Sequence, residues 1–147
     1  MAKQKTPQTS VEVPTSYTLC IRRECPKAET CLRHVATLMI PADVMKWSIL
    51  SPAYLAQMEG ECPHYRSAEK VKYARGFVRM MSAMTVQQAH AFKGDIIAAF
   101  GINMYYRMRR GERLITPTEQ EAIYQMLEKQ GVTTRPEFDA YVEDYLW

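Results

Sequence analysis

Cys20, Cys25, Cys31 and Cys62 are the residues of this chain with definite chemistry, and all four fall in the first half of its 147 residues. Thiols gathered without a secretion signal act as metal ligands or catalytic groups more often than as disulfides. The spacing is Cys-x4-Cys-x5-Cys-x30-Cys, with no Cys-x2-Cys knuckle of the zinc-ribbon kind. Four thiolates suit either zinc or an iron–sulfur cluster. Structural zinc is the expectation, because a closed four-ligand site needs no electron partner. Proline follows Cys25 and Cys62, as in the Cys-Pro that ends bacterial ferredoxin runs, but the ferredoxin spacing is missing. His34, three residues after Cys31, and His64, two after Cys62, are candidate substitutes for a thiol. The competing readings are ordinary buried thiols and redox or disulfide chemistry. Cys31 with His34, or Cys62 with His64, can be drawn as nucleophile and base. Such pairs are assembled by the fold and not by sequence proximity, so an interaction module is expected before an enzyme.

A second set of functional candidates lies further on. Residues 104–115 read M-Y-Y-R-M-R-R-G-E-R-L-I, which places Arg107, Arg109, Arg110 and Arg113 beside Tyr105 and Tyr106. Arginine binds phosphate bidentately and tyrosine stacks on bases, so an RNA- or DNA-binding surface is one reading. The other is a helix end whose arginines favour the dipole and pair with acids. Charge partition bears on the choice: residues 64–113 balance at +7, and residues 114–147 at −5, within a chain of net charge +3. Internal pairing of at least two of the four arginines with the acidic C-terminal segment is the expectation, with a nucleic-acid surface as the alternative.

The elements that must position these groups read mainly as helices. Cys25-Pro26 resembles a helix entrance, followed by Leu32, Val35, Ala36 and Met39 at helical spacing. That helix would carry Cys31 in its second turn and hold Cys25 at its mouth. A brief extended segment is expected at 46–50, between Pro41 and Pro52, and a loop at Gly60 and Cys62-Pro63. Ser67 is placed to cap a helix bearing Val71, Ala74, Val78 and Met81. Thr85 with Gln88 has the spacing of a capping box for a helix striped by Ala89, Phe92, Ile96 and Phe100; Gly94 and Gly101 weaken it, which close packing of a neighbour would explain. Thr116, Pro117 and Glu119 start the next helix and Gly131 stops it. Thr134 with Glu137 repeats the box before a last helix over 136–147, whose Phe138, Tyr141, Val142 and Tyr145 would dock it on the domain. That helix holds four acids and no Lys or Arg, so it does not suit a DNA-reading helix-turn-helix.

A hydrophobic fraction of 47% over 147 residues suits one domain with a real core. The polar stretch 1–16 lacks the apolar run of a signal peptide and reads as a disordered tail. No later run reaches the roughly 18 apolar residues of a membrane span, so a cytoplasmic protein with no membrane partner is expected.

The order Tyr17, Cys20, Cys25-Pro26, Cys31-Leu32-Arg33, Ser51-Pro52, Cys62-Pro63, Tyr65-Arg66, Tyr105-Tyr106-Arg107, Arg110-Gly111, Arg113, Pro117, Gln120, Phe138-Asp139, Tyr141 and Trp147 resembles a family of small bacterial proteins known only as a domain of unknown function. The likeness covers nearly everything after the tail. It implies a bacterial, intracellular, single-domain protein, and it transfers no activity, cofactor or catalytic residue. The expected architecture is thus one mainly α domain over 17–147, with about five helices, at most a short strand or hairpin, and a cysteine-rich site that stabilises it. The expected role is that of a metal-stabilised interaction or regulatory protein with a protein partner. An iron–sulfur redox sensor and an RNA- or DNA-binding accessory protein are the alternatives.

Overall fold

The computed structural model of the protein describes residues 12–147, so most of the expected tail lies outside the described residues. The described chain is mainly helical, with six α-helices and a two-stranded antiparallel sheet. It divides into two compact units, one made of residues 12–70 and 145–147, the other Val71–Asp144. No helix of the described residues is long and apolar enough to cross a membrane.

The first unit has little regular structure. It contains α1 (Leu32–Val35), flanked by single 3-10 turns at Ala28–Thr30 and Ala36–Met39, and α2 (Pro52–Gln57). Ser51 caps α2 by accepting from the Tyr54 N–H at 3.3 Å, and Pro52 fills the first turn, where its missing N–H has no partner to lose. The core is a small cluster of Val13, Tyr17, Leu19, Leu32 and Ala36, against which Trp47, Tyr145 and Trp147 pack. Val13 is therefore part of the packed chain, four residues before the expected start at Tyr17.

The helix expected from Pro26 onward is not one helix. Cys31 is extended at φ −92°, ψ 118°, and forms an antiparallel bridge with Ser67. Its neighbours take the hydrogen bonds that a helix would have claimed: Leu32 N–H donates to the Arg66 carbonyl at 2.7 Å, and Ala68 N–H to that of Thr30 at 2.9 Å. The extended segment expected at 46–50 is present as a bridge between Ile49 and Leu19.

The second unit holds the larger core. The sheet pairs β1 (Lys70–Arg75) with β2 (Ala140–Tyr145), and the helices are α3 (Val78–Ser82), α4 (Val86–Phe100), α5 (Ile102–Arg109) and α6 (Pro117–Lys129). Phe77, Phe92, Ile96, Tyr105, Met108, Ile115, Ile123, Leu127 and Phe138 are buried within it. Both capping boxes form as expected, Thr85 with Gln88 and Thr116 with Glu119. Gly101 separates α4 from α5 at φ +89°, a left-handed value that glycine reaches without penalty. Gly94 does not serve close packing, since a Cβ there would meet nothing within 4 Å.

Two expected helices are strands. From Ser67 the chain runs into β1, in which exposed Lys70 and Lys72 alternate with partly buried Val71 and Tyr73 until the fully buried Ala74 breaks the alternation. Gly76, at φ +72°, then resets the backbone before α3 begins. The expected C-terminal helix is β2, rich in the aromatic and β-branched Tyr141, Val142 and Tyr145 that fit a pleated surface. Phe138 is nonetheless buried in the core and Tyr141 packs against it.

Candidate metal centre

The hydrogen bonds of the first unit bring its cysteines to one place. The pairing of 30–32 with 66–68 sets Cys31 close to the loop that carries Cys62. That loop is a turn in which Tyr65 N–H donates to the Cys62 carbonyl at 3.3 Å, with Pro63 and His64 as its central residues. Cys20 is tied in by its own N–H, which donates to the Arg33 carbonyl at 2.9 Å, and Cys25 by the Ala28 N–H at 3.0 Å. As a result Cys20, Cys25, Cys31, Cys62, His34 and His64 all line a single cavity of about 30 Å³. Cys31 is buried, the other three thiols are partly exposed, and none is in a disulfide. As the side chains stand, no three His, Cys, Asp or Glu among the described residues are arranged to hold a metal ion.

Both histidines carry an unanswered polar atom. Nδ1 of His34 and Nε2 of His64 are buried and have no hydrogen-bond partner in the protein. Each such atom costs roughly 1–3 kcal/mol if it stays unsatisfied. The His64 ring stands edge-on to Tyr54, with centroids 5.7 Å apart.

Arg33 holds this arrangement together. Its Nε donates to the His64 carbonyl at 2.8 Å and its Nη1 to the Thr18 carbonyl at 2.7 Å, while the guanidinium lies 5.1 Å from the centre of the Tyr17 ring. Burial pushes the Tyr17 phenol above its ordinary value, against the opposing charge of Arg33. Arg22, Lys27 and Arg33 all reach the cavity wall, so positive charge is at hand to offset a cluster of thiolates. Sequence reasoning names the thiols and misses Arg33. The available signal was basic residues interleaved with the cysteines, at Arg22, Arg23, Lys27 and Arg33.

The Tyr–Arg segment is arranged differently. Tyr105 is core, 1% exposed, and so has no free face for a base. Tyr106 stacks edge-on to it at 5.0 Å and accepts from Lys93 Nζ at 3.3 Å. Arg113 pairs with Glu119 at 2.6 Å and Arg110 with Glu112 at 2.8 Å. Arg107 is exposed, and Nε of Arg109 is buried without a partner. Only the Arg113 pair reaches the acidic segment 114–147, where at least two such pairs were expected; Glu112, the partner of Arg110, belongs to the basic segment itself.

With these sites in place, the comparison with known proteins is short. The whole chain, residues 1–147, matches the model of a Family of unknown function (DUF6078). The chain belongs to that family. No curated protein and no solved structure matches it. Membership in DUF6078 assigns no activity, so the thiol cavity of this DUF6078 protein has to be interpreted from its own residues.

Proposed function

We propose that the cysteine cavity holds a single structural zinc ion and that the protein is a small interaction or regulatory module of the cytoplasm, where thiols stay reduced. The observation that carries this reading is that every cysteine and both candidate histidines line one cavity of about 30 Å³. Such a volume accepts about two water-sized spheres. That is room for an ion, not for an organic ligand of roughly 300–1,000 Å³, and it favours one ion over a multi-atom iron–sulfur cluster. The unit around the cavity supports the same reading, because it is built on a five-residue core cluster and two short helices. Small units of that kind are commonly completed by a metal or by cross-links. The interaction role draws on Leu38 and Met45, 83% and 87% exposed, which offer apolar surface in the same unit.

Elemental analysis of the full chain, purified without chelator, tests the metal. One zinc per chain in a colourless protein is expected, with Cys31→Ser lowering retention. A brown preparation with iron and sulfide would replace zinc by a cluster. A chain that retains no metal after zinc addition and dialysis, with four freely reacting thiols, would refute the site.

A further inference from the structure

Resting on the reading of the cavity as a metal site, we propose that His34, through Nδ1, and His64, through Nε2, are themselves ligands, so that the ion sits in a mixed sulfur–nitrogen shell and not among four thiolates. The two imidazoles present the same anomaly at the same cavity: a buried ring nitrogen that meets no donor and no acceptor in the protein. A neutral imidazole has one N–H and one lone-pair nitrogen, and either is destabilising when buried without a partner. No thiol answers them, since a sulfur in hydrogen-bonding position would count as a partner. A metal ion satisfies a lone-pair nitrogen directly, and imidazole is a common zinc ligand.

The local backbone supports pairwise ligation. Cys31 is the N-cap of α1 and His34 lies in its first turn. Cys62 opens a turn and His64 is its third residue. Each histidine thus comes with its own cysteine on a short, hydrogen-bonded stretch of chain. Arg33 fixes the second pair relative to the first through the His64 carbonyl at 2.8 Å. Six residues of donor type line the cavity, whereas a structural zinc takes four ligands. With both imidazoles bound, two thiolates complete the shell and the other two remain outside it.

X-ray absorption at the zinc edge of the full, zinc-loaded chain reads this directly. Two sulfurs at about 2.3 Å and two nitrogens at about 2.0–2.1 Å are expected. Competition with a chromogenic chelator should show His34→Gln and His64→Gln each loosening zinc by more than 100-fold, beyond the roughly 10- to 100-fold typical of groups that only support a ligand. A shell of three or four sulfurs with fewer than two nitrogens overturns the histidine assignment and leaves the metal reading standing. A chain that holds no zinc at all removes both. The absorption measurement uses the unmutated protein, so it decides even if the variants fail to fold.

Discussion

Asp139 caps α3 from 60 residues away in sequence, with Oδ2 accepting from Val78 N–H at 2.8 Å and Oδ1 from Arg79 N–H at 2.9 Å. The residue at the N-cap position itself is Phe77, which makes no side-chain cap bond. Gly76 makes room for this arrangement: a Cβ there would come within 2.7 Å of Asp139 Oδ2 and 3.3 Å of the Arg109 carbonyl, at φ +72°. Replacing Asp139 by Ala should cost about 1–2 kcal/mol, as loss of a helix cap does, read as a lower urea midpoint with an unchanged slope. Gly76→Ala should cost at least as much through strain and clash together. Because the two positions share one contact, the double variant should be less destabilised than the sum of the singles. Additive costs would show that the 2.7 Å approach carries no energy.

At the scale of elements, what was legible in the sequence divides by where the signals lie. The starts of α4 and α6 were readable because each capping box lies within four residues, and both boxes form as spaced. The strands were not, because Val71, Ala74, Tyr141 and Tyr145 fit a helical period locally and are extended by their pairing across some 70 residues. The candidate site divides likewise. Its donor types stand in the sequence, while the bridge of Cys31 to Ser67 and the bonds of Arg33 that gather those donors are contacts between distant segments. The box at α6 yields a pH-dependent prediction. Burial raises the Glu119 carboxyl, but hydrogen bonds from Arg113 and the Thr116 N–H, with the Arg113 charge, outweigh it and hold the group below its ordinary value. A carboxyl depressed in the folded state contributes stability above its unfolded value, about 4.3, and loses it as pH falls through the folded one. Glu119→Gln keeps the box and removes the charge. The variant should be less stable than wild type at neutral pH, and the gap in urea midpoint should close as the pH falls below about 4. A gap that is constant across that range would assign the loss to something other than the charge.

For the whole molecule, the two units differ in what holds them. Val71–Asp144 contains a cluster of eleven buried residues supplied by β1, four helices and the segments that connect them. The other unit has a cluster of five, and its thiol cavity is bounded by loops, a 3-10 turn and α1. Each large apolar side chain stabilises by about 1.5–3 kcal/mol when buried, so the smaller cluster has much less to set against the entropy of ordering its loops. A structural zinc contributes an apparent 10 kcal/mol or more in comparable small sites, which is enough to decide whether such a unit is folded. On the proposed zinc reading, stripping the ion from the full chain should therefore act unevenly. Hydrogen exchange after treatment with a strong chelator should show amide protection lost around Leu19, Leu32 and Leu55, and retained around Phe92, Ile96, Ile123 and Leu127 in α4 and α6. Zinc added back at one equivalent should restore the protection. Uniform loss would mean that the two units unfold as one. Unchanged protection around Leu32 in a chain shown to be metal-free would mean that the apolar cluster suffices without the ion.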